Sequence, residues 1–589
     1  MRITLPGVAR SGSPFQLSFD GEPVEAWPGE SIAAALTSAG KRALREASTG
    51  APRGLWCGMG VCGECRVTVD GQVRLACMTP AGAGQCVGRA PARVEAAVSA
   101  ADPAPDAAVV ETPEVLVVGA GPAGLSAARV AAAAGLDVLV ADERTMPGGQ
   151  YFKQPASTFT ADAARVDRQT AEGMQLIAQA SAAGARFMLG CTMWAAARDD
   201  DGGLAVYLSG GAGAAVVRPR RLVLAMGAYE RPWPVPGWTL PGVMTAGAAQ
   251  TLLRAYSTAP GQRVLVAGNG PLNVQVAREL LRVGCDVVAL VEAAPTPGLS
   301  QAGDALRMAR AAPRLTLDGV AMVAALRRAR VPMLYGHVVT RIDGEGKAEA
   351  VTVARLDAQG NPMAGSAQTF DVDAVCLGYG FLPQAEAARA LACATESGTD
   401  GAIRVVRDDA GRTSVPDVQV IGDGGGLGGA RIALAQGVLA GAALVDALGG
   451  RVLAEDVRSK AERDLARHRA FQDALWRIYA PVVLPDLRPD ALLCRCESVP
   501  VSAVDALVSA GLRDISAIKR ATRAGMGACG GRYCAAMIEA RLASAGGARA
   551  AALAPGFAPR APFKPTTIDQ IVATAQNGRI KNESSSEEH

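Results

Sequence analysis

The chain opens on short runs in which apolar and polar residues alternate, the period of half-buried strands, with a turn signal at Asp20-Gly21. Pro28-Gly29-Glu30-Ser31 then introduces apolar residues at helical spacing, which predicts a helix over Ser31–Ala39. Residues 1–100 are therefore expected to form a small β-rich module with one helix. From Ser99 to Pro113 the periodicity disappears and Ala, Asp and Pro dominate, so 101–113 reads as a linker. Val115–Val118 is a β-branched run ending in glycines, and Val264 opens a second strand, turn and helix about 150 residues later. Around them short β-branched runs alternate with Ala-rich segments, the order of parallel α/β sheets. After Leu448-Gly449-Gly450 the chain turns charged and helical to Ala480, then meets Pro481 and Pro485. A small helical module is expected over 491–545. The tail 546–589 contains several prolines and ends RIKNESSSEEH, which predicts a disordered end.

Composition sharpens this picture. With 589 residues the chain exceeds a single core, and a scale of roughly 100–200 residues per domain predicts three to five domains. Much of the 49% apolar content is Ala, and with 68 Gly this points to helices packed closely on sheets. Fifty-nine basic against 56 acidic residues leave a net charge of +3, too little for a nucleic-acid partner. The amino terminus lacks the apolar core of a secretory signal, so a cytoplasmic location is expected. No run of about 18 uncharged apolar residues occurs, since Arg129, Asp137 and Asp142 interrupt the most apolar region, and no transmembrane segment is expected. Thirteen cysteines in such a chain point to metal or redox use rather than disulfides.

Eight of them form two quartets. Cys57, Cys62, Cys65 and Cys77 have the C-x4-C-x2-C...C spacing of plant-type 2Fe-2S ferredoxins. Gly58, Gly60 and Gly63 let the loop curl so that backbone N–H groups approach the sulfurs, and the alternating run Arg66–Val73 reads as a hairpin that returns Cys77. Zinc is the alternative, although zinc sites more often pair two C-x2-C units. Cys494-Arg-Cys496 and Cys529-Gly-Gly-Arg-Tyr-Cys534 form the second quartet, for which both a 2Fe-2S centre and zinc stay open. Lys519, Arg520, Arg523 and Arg532 lie near it as a solvated face or as tuning charges.

Between the quartets, Gly119, Gly121 and Gly124 form G-x-G-x-x-G on a strand-to-helix turn, and Asp142 or its neighbour Glu143 ends the next strand, Val138–Ala141. This is the fingerprint of a dinucleotide site, with the acid accepting from the adenosine ribose. Pro147-Gly148-Gly149-Gln150, the strand ending at Gly227, and Gly422-Asp423 narrow the dinucleotide to FAD by their resemblance to flavoproteins with two dinucleotide-binding domains. In that family the Asp, here Asp423, bonds the ribityl chain, and a helix from about Ala430 would aim its positive end at the flavin. The second fingerprint has Gly268 and Gly270 but Asn273 in the third place, with Glu292 closing the next strand. A side chain at Asn273 is expected to strain the helix–strand contact, which leaves open whether NAD or another adenine nucleotide binds there. No C-x2-C occurs outside the first quartet, and His337, His468 and His589 fall in no catalytic motif, so no catalytic residue is assigned.

The phrases CGMGVCGECRVTVDG, VVGAGPAGLSAA, PGGQ, AMGAYERPWPVPGWTLPGVMTAGAAQ, LCRCE and TRAGMGACGGRYC resemble the flavin and iron–sulfur subunits of heteromeric amine and amino-acid dehydrogenases. These include hydrogen cyanide synthase, opine oxidase, D-hydroxyproline dehydrogenase, proline dehydrogenase and sarcosine oxidase. The second quartet resembles the module of bacterioferritin-associated ferredoxin, from which it departs in the spacing of its last pair. The resemblance implies an α/β fold with two Rossmann-like dinucleotide domains, a β-grasp 2Fe-2S ferredoxin domain (1–100) and a small helical 2Fe-2S domain (491–545). FAD-binding parts at 114–240 and 346–450 would flank a NAD-like domain at 241–345, with a helical connector at 451–490. It also implies FAD, two 2Fe-2S clusters and an FMN at a subunit interface. The partner would be a catalytic FAD subunit of the D-amino-acid oxidase type, and the acceptor a quinone, the respiratory chain or a soluble carrier, allowing association with the inner face of the cytoplasmic membrane. The competing expectations are an NAD(P)H-dependent reductase and a non-catalytic scaffold stabilised by zinc.

Overall fold

The computed structural model of the chain describes residues 1–92, 107–199, 201–211, 213–398, 402–480, 487–546, 557 and 559–583. The N-terminal module is a five-stranded sheet in the order Glu22–Ala26, Phe15–Phe19, Cys86–Arg89, Arg66–Val69, Gln72–Leu75. The expected helix is Ile32–Ser38, and the Ser31 hydroxyl caps it by accepting from the Ala34 N–H at 3.2 Å. Leu17, Phe19, Val24, Ile32, Leu36 and Val67 form the module's core, which is continuous with Leu252 and Leu253 of the helix Ala246–Tyr256. The ferredoxin-like module thus shares its core with the nucleotide-type region.

Val115–Val118 lies in a parallel sheet ordered Arg186–Leu189, Val138–Asp142, Val115–Val118, Arg221–Leu224, Val418–Val420. Both faces of such a sheet are covered, which explains strands without polar alternation. The helix Pro122–Ala133 packs on it, and Ala430–Leu448 crosses that helix closely. A Cβ on Gly437 would stand 2.2 Å from the Ala123 carbonyl oxygen, so the small residues are what permit this crossing. Among the described residues Ala430–Leu448 alone is long and apolar enough for a membrane span, and 67% of its most apolar stretch is buried inside the protein.

A second parallel sheet runs Val243–Thr245, Ala374–Gly378, Arg263–Gly268, Asp286–Glu292, Met333–Tyr335. This corrects the expected boundary at 345–346, because Ala374–Gly378 inserts into the second sheet instead of opening the second FAD-binding part. An inserted strand pairs with residues more than 100 positions away, and local periodicity carries no record of that. Part of the expected linker is also structured. Residues 101–106 lie outside the described residues, but Val109–Glu111 pairs in parallel with Gly213–Val217.

Glu455–Ile478 forms the connector helix, and a short hairpin with the helices Val501–Ser509, Ile515–Thr522 and Ala535–Gly546 builds the C-terminal module around Val504, Ile518 and Ile538. The tail's end, RIKNESSSEEH, is expected to be disordered, but its first residues continue a helix. Residues 584–589 lie outside the described residues, but Ile568–Glu583 is helical, and Phe563 is buried with its N–H bonded to the Trp194 carbonyl at 2.7 Å. Burying one such ring contributes about 2 kcal/mol. A few apolar anchors therefore offset a polar, Pro-containing composition.

Candidate functional site: a dinucleotide cleft beside two cysteine quartets

A connected cleft of about 3510 Å³ runs between the two parallel sheets. It is lined by Gly119, Gly121, Asp142, Glu143, Gly149, Gln150, Gly227, Gly422, Asp423 and Gly270, whereas Gly124, Gly268 and Glu292 lie behind its wall. Gly124 sits where a Cβ would be 1.9 Å from the Gly119 carbonyl oxygen, so the first helix can approach its strand only with glycine there. Gly121 and Gly149 face each other, and a Cβ on Gly149 would come 2.7 Å from the Gly121 Cα. Beyond this bare slot, the helix Pro122–Ala133 starts without a side-chain cap, which leaves N–H groups for an anionic pyrophosphate. These features fit a dinucleotide.

Asp142 accepts from the backbone N–H groups of Ala120 at 2.6 Å and Arg144 at 2.8 Å, and burial raises its pKa. Glu143 reaches the cleft and pairs with Lys564 of the tail. Asp423 accepts through Oδ1 from Gly428 and Gly429, both at 2.8 Å, and so shapes the turn into Ala430–Leu448, whose first residues line the cleft. Two buried groups escaped the reading of the sequence. Lys153 donates to the Gln150 carbonyl at 2.6 Å and to Gln250 Oε1 at 3.1 Å, and burial together with Arg144 pushes it down to about 7. Burial pushes Glu230 up to about 7, against the Thr245 hydroxyl, the Gly247 N–H and Lys153. Their signal was only adjacency: Lys153 follows Gly149-Gln150, and Glu230 follows Gly227.

In the second fold the expected strain at Asn273 is absent. Its Nδ2 donates to the Gly378 carbonyl at 2.9 Å, and Gly378 provides the space, since a Cβ there would stand 2.3 Å from Asn273 Oδ1. Glu292 faces its own turn, accepting from Gly270 N at 3.0 Å, Asn269 Nδ2 at 2.8 Å and Ala294 N at 3.0 Å.

The four cysteines of each quartet converge, with Cys57, Cys62, Cys65, Cys77, Cys494, Cys529 and Cys534 buried. Among the described residues no three potential ligands surround a point for one metal ion. The thiols close in pairs instead, Cys57 with Cys62 and Cys65 with Cys77. In the second quartet Cys496 lies 3.8 Å from Cys494 and 3.5 Å from Cys529, while Cys494 is also hydrogen-bonded to Cys534. Four thiolates at each site are a donor set that a 2Fe-2S centre takes, two on each iron. Burial pushes the Cys57 thiol up, but the Cys62 thiol and the N–H groups of Met59, Cys62 and Val61 outweigh it and hold Cys57 below the usual thiol range. Such N–H···S donors favour negative charge on the sulfurs. Arg144 Nη2 bonds the Gly58 carbonyl at 3.0 Å, tying the first loop to the cleft wall. From the second, Tyr533 lines the cleft with a buried, unpartnered hydroxyl, its ring 5.4 Å from Tyr229. Of the nearby cations, Arg532 pairs with Glu386 at 3.0 Å and Arg523 with Glu497 at 2.8 Å, Arg520 lies 3.8 Å from Asp514, and Lys519 stands over Phe557.

The fold and site define a flavoprotein oxidoreductase with an iron–sulfur module at each end. Residues 113–437 match the family described as pyridine nucleotide-disulphide oxidoreductase, residues 12–91 the 2Fe-2S iron-sulfur cluster binding domain, and residues 492–544 the BFD-like 2Fe-2S binding domain. An opine oxidase subunit from Agrobacterium tumefaciens is 30% identical over 476 residues, 79% of this chain and 92% of that protein. Hydrogen cyanide synthase subunit HcnB of Pseudomonas aeruginosa is 30% identical over 441 residues, 73% of this chain and 93% of that protein. The crystal structure of L-proline dehydrogenase from P. horikoshii superposes with a TM-score of 0.69 over 97% of this chain and 100% of that one, at 20% identity. The chain belongs to the pyridine nucleotide-disulphide oxidoreductase family; it is an FAD-dependent oxidoreductase that binds FAD and 2Fe-2S clusters.

Proposed function

We propose that this chain is the electron-relaying subunit of a heteromeric dehydrogenase that oxidises an amine, amino acid, imino acid or opine on a partner FAD subunit. The observation that carries this reading is that the dinucleotide cleft touches loops of both cysteine quartets, at Met59 and at Tyr533. Relatives named as subunits of opine oxidase and hydrogen cyanide synthase support it. When bound, FAD exchanges two electrons and each 2Fe-2S centre one. In this reading Gly119, Gly121, Gly149 and the start of Pro122–Ala133 hold the pyrophosphate, Glu143 faces the adenosine ribose, and Asp423 shapes the turn beside the flavin. Cys57, Cys62, Cys65 and Cys77 ligate one cluster, and Cys494, Cys496, Cys529 and Cys534 the other. Lys153 and Glu230, both on the cleft wall and both brought to about 7 by burial, are the titratable groups nearest neutrality in this reading. Co-purification with the partner, followed by flavin and cluster bleaching with a panel of amino acids and opines, tests the proposal. Bleaching by NADH of the isolated chain, with no response to any amine when the partner is present, would sink it. That outcome would favour NAD(P)H reduction at the second fold, a reading helped by the unstrained seat of Asn273.

A further inference from the structure

We propose that Glu64 and Arg495 form a buried latch that fixes the separation and orientation of the two iron–sulfur centres. Glu64 stands between Cys62 and Cys65, and Arg495 between Cys494 and Cys496, so each belongs to a cluster-binding turn. The two are 431 positions apart, yet Arg495 Nε donates to Glu64 Oε2 at 2.9 Å, with side-chain exposures of 3% and 0%. The guanidinium lies over the rings of Trp56, the residue before Cys57, at 4.3 Å and of Trp238 at 4.7 Å. Beside the pair the backbones themselves touch. A Cβ on Gly63 would stand 2.8 Å from that of Ala528, the residue before Cys529.

Stability alone is a poor account of this arrangement. Taking charges out of water offsets most of their attraction, and Glu64 is already compensated by Arg45 on its other oxygen, so Arg495 is not needed to neutralise it. What a planar guanidinium fork set against two indoles that stand at 86° to each other supplies is one orientation, because the carboxylate and both rings constrain it. The Glu64 backbone N–H donates to Cys62 Sγ at 3.4 Å, but the side chains that form the latch bond each other and move no proton. The latch's role is positional, and one-electron exchange between two centres weakens steeply with their separation. The inference rests on both clusters being bound, a premise that iron content tests by itself.

The experiment uses the full-length protein, purified anaerobically, with iron and sulfide per chain measured before EPR of the dithionite-reduced state. The wild type should show two spin systems that split each other's lines or speed each other's relaxation. In Arg495→Met, with iron content and thermal midpoint unchanged, that mutual effect should be lost, and electron equilibration between the centres after flash reduction should slow about tenfold or more. Arg495→Lys, which keeps the charge without the fork, should fall between. Two reduced centres without mutual effect in the wild type would overturn the latch, as would full splitting in Arg495→Met. Should Arg495→Met lose iron, Arg495→Lys and Glu64→Gln decide: full splitting in both overturns the proposal, and reduced splitting at full iron supports it. Absence of iron from the wild type would overturn the premise instead.

Discussion

The two dinucleotide-type folds share a core of three parallel strands and a strand-to-helix turn, Val115–Val118 into Pro122–Ala133 and Arg263–Gly268 into Pro271–Arg282, but differ in how each helix is brought onto its sheet. In the first, Gly124 makes room by having no side chain. In the second, Asn273 is bonded to the Gly378 carbonyl, and the missing side chain belongs to the neighbouring strand. The close approach is therefore a property of a pair of positions, and a motif that names one position detects only half of the solutions. The acids differ in number. Asp142 and Glu292, which end the second strands, are both turned inward on their own loops, and only the first fold adds a second acid, Glu143, which reaches the cleft and is covered by Lys564.

The comparison can be broken most severely by Gly124→Asn, which copies the second fold into the first without a relieving partner. Loss of bound flavin and a destabilisation above about 4 kcal/mol are expected, read from flavin absorbance and urea melts. Next is Glu230→Gln, at the junction where Glu230 accepts from the first turn of Ala246–Tyr256. Burial raises the Glu230 pKa from 4.5 to about 7. The stability this group contributes is thus fully present below pH 4.5 and lost as pH rises through about 7. The variant should be flat across that window and more stable than wild type at pH 8, by an amount of the order of 3 kcal/mol. Asn273→Gly, the reverse exchange, removes a buried hydrogen bond and places Gly in a helix, at a cost of about 2 kcal/mol. Its flavin content should stay unchanged; a flavin-free product would mean that the folds are not independent. The smallest effect is expected from Lys564→Ala, which uncovers Glu143 and should weaken FAD binding to the apoprotein about fivefold, or ~1 kcal/mol, in a fluorescence titration.

What was legible in the chain was whatever local spacing encodes. The first quartet, the glycines around Gly121, the strands Val115–Val118 and Arg263–Gly268 and the helix capped by Ser31 all follow from neighbours within a few residues. What was not legible depends on partners brought from afar. Ala374–Gly378 enters a sheet whose other strands precede it by many residues, Gly378 relieves Asn273, and Phe563 anchors a tail whose average composition reads as unstructured. Lys153 and Glu230 look like ordinary surface charges until packing removes their water.

The meeting of residues 64 and 495 also sets a timetable for biosynthesis. Synthesis delivers residue 64 well before residue 495, 431 positions later, so the contact between the two cluster-binding turns forms only after both have emerged. The first cluster-binding turn is thus completed by a residue made 431 positions later, so the order of synthesis sets when the two turns can meet.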